Sequence, residues 1–155
     1  MPTDHGHPPP EWRERILLAL VPPAVVALAL WVGSVPPDPR GHGTHERLGM
    51  LPCSWPQSLG LPCPTCGVTT AACLMFRGAP LQALWAQPFG AALAGVLLAA
   101  AVAAVWHLAR NRSLFWRMSL WPLGRILLWA VALMVLAWGY KIVWFRLVSL
   151  SSLGR

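Results

Sequence analysis

The sequence predicts an all-α fold, a small polytopic transmembrane helix bundle of about three spans plus a short helix that carries a cysteine motif. Composition is the first reason: of 155 residues, 56 % are hydrophobic and 11 % charged, with ten tryptophans. A soluble domain carries about 25 % charged residues, so the lipid bilayer is the solvent that suits this chain. The second reason is a set of uncharged runs of span length, since about 20 apolar residues in a helix cross the hydrocarbon core. The third is the placement of the arginines, which flank those runs. A net charge of +7 without zinc-finger spacing, a basic helix or an aromatic platform argues against a nucleic-acid partner and is accounted for by topology.

In chain order, residues 1–12 read as a disordered tail and residues 13–155 as a single membrane domain. Pro8-Pro9-Pro10 and the lack of periodicity mark the tail, where His5 and His7 are expected to be solvated. The first span covers residues 16–35, behind Arg13 and Arg15. A cleaved signal peptide competes with this reading because Gly33-Ser34 supplies small residues. The run exceeds a usual signal core, however, so an uncleaved anchor kinked at Pro22-Pro23 is expected. Breaker-rich sequence from Val35 to Gly43 ends the span, and residues 41–87 form the cysteine-motif segment. Gly78 is expected to terminate the motif helix. Pro80 opens a further short helix through Trp85, and Gln87-Pro88 breaks it and starts the next.

The second span covers residues 89–107, where Ala91, Gly95, Ala99 and Ala103 recur every four residues. Such a small-residue stripe lets helix backbones approach closely in lipid, within the monomer or across a homo-oligomer. Arg110, Arg112, Arg117 and Arg125 then crowd a loop with Phe115, Trp116 and Trp121, a composition of the headgroup region. The third span covers residues 126–147, with Lys141 and Arg146 expected to snorkel from its end. With Arg13, Arg15 and the arginine loop inside, a multi-pass protein of the cell membrane with an extracytoplasmic cysteine segment is expected.

The chemistry is concentrated in Cys63-Pro64-Thr65-Cys66-Gly67-Val68-Thr69-Thr70. Pro64 suits the first position of a helix, which makes Cys63 the expected N-cap and runs the motif helix from Pro64 to Phe76. Cys66, Thr70 and Cys73 then share a face with Cys63. At about thirteen residues this helix is too short to span and is expected to lie at the interface or inside the bundle.

His45-Glu46-Arg47-Leu48-Gly49, Leu51-Pro52-Cys53, the run from Gly60 to Ala71, Gly78 and Gln87-Pro88-Phe89-Gly90 together resemble a bacterial membrane-protein family known as domain of unknown function 2752. The likeness covers the middle third of the chain and centres on Cys-Pro-x-Cys-Gly-x-Thr, in which Pro64, Gly67, Thr69 and Thr70 support the two cysteines. Many members carry arginine after that threonine. Thr70 stands there in this chain, so no role for the arginine transfers. The resemblance implies a membrane protein and brings no activity with it.

Two kinds of chemistry suit the thiols. Cys63 and Cys66, with Cys53 and His45, make a Cys₃His donor set appropriate to zinc, although the gaps between them are not those of paired zinc knuckles. Alternatively, Cys63 and Cys66 form the pair of a membrane thiol–disulfide oxidoreductase, Cys63 attacking from a helix N-terminus and Cys66 resolving. A thiol–disulfide enzyme of the thioredoxin type is excluded by the absence of alternating strands and helices. With five acids in the chain, no His-Glu-x-x-His and no phosphate-binding glycine loop, a hydrolase is hard to build. Glu46 reads as a solvated loop charge. The expectation is therefore a structural, non-enzymatic cluster, metal-bound or disulfide-locked, with the oxidoreductase as the alternative.

Overall fold

The structure, a computed structural model, describes residues 10–153. The stretch assigned to the tail before residue 10, with His5 and His7, lies outside the described residues, and Trp12 is already helical. Among the described residues the fold is helical throughout. In order the helices are α1 (Trp12–Gly33), α2 (Thr44–Arg47), α3 (Ser54–Leu59), α4 (Val68–Phe76), α5 (Pro80–Ala86), α6 (Pro88–Arg110), α7 (Leu114–Ser119) and α8 (Leu123–Leu153).

Three of these are long and apolar enough to cross a membrane: Trp12–Gly33, Pro88–Arg110 and Leu123–Leu147, with mean hydropathies of 2.4, 2.2 and 2.0. Their exposed surface is apolar, including Leu30 at 70 %, Val102 at 70 % and Trp129 at 74 %, as expected of helices whose solvent is lipid. The three apolar helices fit a multi-pass membrane protein. α1 continues through Pro22 and Pro23.

The core is built from small side chains. α6 packs on α1 and α4, α5 closes against α4 and α6, and α8 rests more lightly on α6. Ala71, Ala83 and Ala91 meet in the centre, with Leu74, Met75 and Ala86 packed round them. At Gly90 the approach is closest: a Cβ there would lie 2.8 Å from the Val68 Cα and 3.0 Å from its carbonyl oxygen, so the first turn of α6 sits on the first turn of α4. The four-residue stripe expected on α6 is only partly the packing face. Ala91 is buried, but Ala99 is exposed, and the buried line runs through Gly90, Ala91, Ala94, Ala104 and His107. The reason is geometric, since an i, i+4 ladder advances about 40° round a helix of 3.6 residues per turn at each step.

Helix ends are closed by local caps and by residues distant in sequence. Gln87 caps α6, its side-chain oxygen accepting from the Gly90 N–H at 2.5 Å. Gly78 takes φ +78 and ends α4 with bonds from Ala79 N to Leu74 O at 2.9 Å and Gly78 N to Met75 O at 3.1 Å, the expected glycine terminator. Arg77 reaches back to the end of α1, donating to Gly33 O at 2.9 Å and Val35 O at 3.2 Å. At the opposite end of the bundle the buried Glu14 carboxylate accepts from Ser113 Oγ at 2.8 Å, Leu114 N at 2.6 Å and Phe115 N at 3.0 Å. That contact puts the start of α1 and the loop after α6 at one end, and the cysteine segment at the other.

Candidate functional site

Cys63 to Cys66 forms a tight turn, closed by Cys66 N donating to Cys63 O at 2.9 Å, and Gly67 follows at φ +92 as the N-cap of α4. The motif helix therefore begins at Val68, not at Pro64, and Cys63 is not its N-cap. Proline also suits the second position of a β-turn, and a glycine in the left-handed region directly after the turn fixes the helix start four residues late. Cys66 stands before the helix and does not continue the Thr70–Cys73 face. Cys73 is fully buried, its thiol donating to Val35 O at 3.3 Å.

The turn is held from three sides. Gly67 is packed so closely that a Cβ there would lie 2.6 Å from Gly41 O and 3.2 Å from Lys141 Nζ. Trp138 Nε1 donates to Pro62 O at 2.9 Å. Thr70 Oγ1 and Thr44 Oγ1 are 2.8 Å apart and buried, and Asp38 N donates to Thr44 Oγ1 at 3.0 Å. Lys141 does not snorkel. It is 3 % exposed and its Nζ donates to Gly41 O at 2.9 Å and Ala86 O at 2.7 Å.

The four residues singled out for metal or redox work do converge. His45, Cys53, Cys63 and Cys66, together with Thr65, Gly67, Thr69 and Thr70, line one pocket of about 300 Å³. Cys63 sits between the other thiols, interacting with both Cys53 and Cys66, and its sulfur lies 3.6 Å from Thr65 Oγ1. All four cysteines are free thiols. Among the described residues, no three His, Cys, Asp or Glu side chains are arranged as a group able to hold a metal ion. The pocket thus collects the donor types without closing them round a centre.

Residues 53–101 match the family model described as "Protein of unknown function (DUF2752)". Over this segment the chain is similar to DUF2752. No curated protein and no solved structure matches. The DUF2752 match contains all four cysteines, whereas Gly41, Thr44 and His45 precede it, and Trp138 and Lys141 on α8 lie beyond it. The support of the DUF2752 thiols is thus supplied from both flanks of the matched region.

Electrostatics separate the thiols. Burial pushes the Cys66 thiol up to about 11, helped by the neighbouring Cys63 and Cys53 and opposed by Lys141. Cys53 is also raised, by desolvation first, and Cys73 by burial. A thiol with so high a pKa is a poor nucleophile at neutral pH and a slow leaving group in exchange. Outside the pocket, the Arg40 guanidinium holds the Asp38 carboxyl down at about 2. Glu46 is exposed and 3.7 Å from Arg40.

Sequence reasoning missed Thr44, Gly41 and Trp138 altogether. For Lys141 the signal was present, a charge inside an apolar run, but its nearness to the helix end suggested the interface instead.

Proposed function

We propose that this is a small, non-enzymatic integral membrane protein whose Cys53, Cys63, Cys66 and His45 cluster is structural, fastening the loops of the cysteine segment to the helical bundle. The observation that carries the reading is the shared pocket of about 300 Å³ into which separate stretches of chain deliver these four side chains. Soft thiolates and an imidazole suit zinc. Cys53, Cys63, Cys66 and His45 are the residues that would hold such an ion, the thiols giving up their protons to it. Without metal, a thiol oxidant of the extracytoplasmic compartment would take two electrons and two protons from Cys63 and Cys66 and leave a disulfide across the turn, where residues at i and i+3 of a β-turn have Cα atoms within about 7 Å. Metal analysis and a thiol count on the purified protein test the reading. One zinc per chain, or one disulfide, supports it. Four freely alkylated thiols with no bound metal sink it.

The oxidoreductase reading has one observation in its favour, the position of Cys63 within reach of two other thiols. The raised Cys66 thiol weighs against it, because a resolving cysteine must be available as thiolate. Trapping a mixed disulfide on Cys63 in a Cys66→Ala variant would shift the balance to redox work.

The cysteine segment is placed on the extracytoplasmic side of the cell membrane by the positive-inside rule, with Arg13, Arg15, Arg110 and Arg112 at the cytoplasmic end. An impermeant thiol reagent on intact cells should mark a cysteine introduced at Ser58 and spare one at Leu120. The reverse pattern inverts the topology.

A further inference from the structure

Lys141 is a buried cation in the apolar span of α8, 3 % exposed, where Arg125 and Arg146 are the other charges. Its ammonium has three N–H groups, of which two are taken by Gly41 O and Ala86 O. Among the described residues no acceptor meets the third and no carboxylate pairs with Lys141. The nearby charges cancel without it. Arg40 binds the Asp38 carboxylate through Nε at 3.0 Å and Nη2 at 2.8 Å, Glu46 lies 3.7 Å from Arg40, and Arg47 lies 3.8 Å from Asp38. Two carboxylates face two guanidiniums, and the Lys141 charge is left over. A buried cation without a counter-charge is costly and calls for an anion.

The space for that anion is present. Lys141, with Thr70, Gln82, Tyr140, Trp144 and the ion-paired Arg40 and Asp38, lines a cavity of about 500 Å³. Trp85 and Tyr140 form a wall shared with a second groove of about 360 Å³, whose other lining is Leu81, Leu84 and Pro88. Tyr140 Oη donates to Trp85 O at 2.8 Å and fixes that wall. A chamber that holds an unbalanced cation on a largely apolar lining therefore adjoins an apolar groove. Exposed tryptophans line the chamber, Trp85 at 74 % on the shared wall and Trp144 at 49 %, a composition that belongs at headgroup level. The occupant that satisfies both halves is an amphiphile with an anionic phosphate.

We propose that the cavity between Lys141 and Trp85 binds the phosphate headgroup of an anionic lipid, with an acyl chain laid in the groove of Leu81, Leu84 and Pro88. The phosphate accepts the third Lys141 N–H and supplies the missing negative charge. The site adjoins the thiol pocket through Thr70, which lines both, and it draws on Lys141, Trp85 and Tyr140, which the thiol pocket does not contain.

Native mass spectrometry of the full-length protein, delipidated in neutral detergent and titrated with phosphatidylglycerol, tests this. One lipid per chain should be retained, at least tenfold more tightly than phosphatidylcholine, and inorganic phosphate should not displace it at equal concentration. Lys141→Met should lose this preference. Because Lys141 also ties two loops, exposed positions provide the decisive variants. Gln82→Glu places a negative charge in the chamber and Leu84→Glu places one in the groove, and each should weaken phosphatidylglycerol binding at least fivefold at an unchanged melting temperature. Retention of phosphatidylcholine as tight as that of phosphatidylglycerol, displacement by inorganic phosphate, or wild-type binding by either glutamate variant overturns the proposal.

Discussion

Replacing Gly67 by alanine is the most direct probe of how the cysteine turn is seated. Two costs add. At φ +92 an L-residue sits in a sparsely populated region, worth about 1–3 kcal/mol. The new Cβ also falls 2.6 Å from Gly41 O and 3.2 Å from Lys141 Nζ, and the first of these atoms is backbone that cannot rotate away. Overpacking of that kind adds about 1–3 kcal/mol, for a total of about 2–6 kcal/mol. Gly49→Ala carries the first cost alone, because Gly49 takes φ +84 with nothing within 4 Å of the added atom. The difference between the two variants should then be about 1–3 kcal/mol. Melting in detergent, followed by size-exclusion recovery after heating, should place Gly67→Ala several degrees below Gly49→Ala. Equal melting temperatures would refute the close seating of Gly67 against the Gly41 loop.

Three further outcomes are expected. In metal-free, reduced protein at pH 8, Cys66 should alkylate far more slowly than Cys63: with its thiol at about 11, roughly one molecule in a thousand is thiolate, and the rate should climb tenfold per pH unit up to about pH 10. Peptide mass spectrometry of timed iodoacetamide labelling reads this directly. The Asp38 carboxyl is held at about 2 against an ordinary value of 3.8, so its contribution to stability is full above the ordinary value and is lost as pH falls through the depressed one. The melting-temperature gap between wild type and Asp38→Asn should accordingly be constant from pH 7 to about 5 and close between about 4 and 2. Glu14→Ala removes the acceptor of three bonds and should cost about 1.5–3 kcal/mol, with faster hydrogen exchange at Leu114 and Phe115 and no change at Cys63.

The parts of this fold that were legible in sequence are those whose cause is local. The three spans follow from runs of apolar residues, the end of α4 from Gly78, and the α5–α6 break from Gln87-Pro88. The start of α4 was misplaced because Pro64 is compatible with both a helix start and a turn, and the deciding residue, Gly67, acts through its backbone angle. Convergence of His45, Cys53, Cys63 and Cys66 was inferable from residue type. The supports of that pocket were not, because they come from other stretches of the chain. Space for the Lys141 ammonium exists where Gly41 and Gly67 lack a Cβ, and no periodicity in any one segment signals that three distant residues share a corner. The α6 stripe misled for a related reason, since a regular spacing states which residues are small and not which partner they face.

The long-range ties also set an order of events during synthesis. Glu14 meets Ser113 across 99 positions, Trp138 reaches Pro62 across 76, and Lys141 reaches Gly41 across 100. A chain inserted from its N-terminus therefore presents Glu14 at one end and the Cys63–Cys66 turn at the other well before their partners have left the ribosome. α8 arrives last, bringing the indole and the ammonium that pin the turn. Until then Pro62 and Gly67 lack the Trp138 and Lys141 contacts that seat the turn in the finished fold, and these two residues of α8 complete the corner only at the end of synthesis.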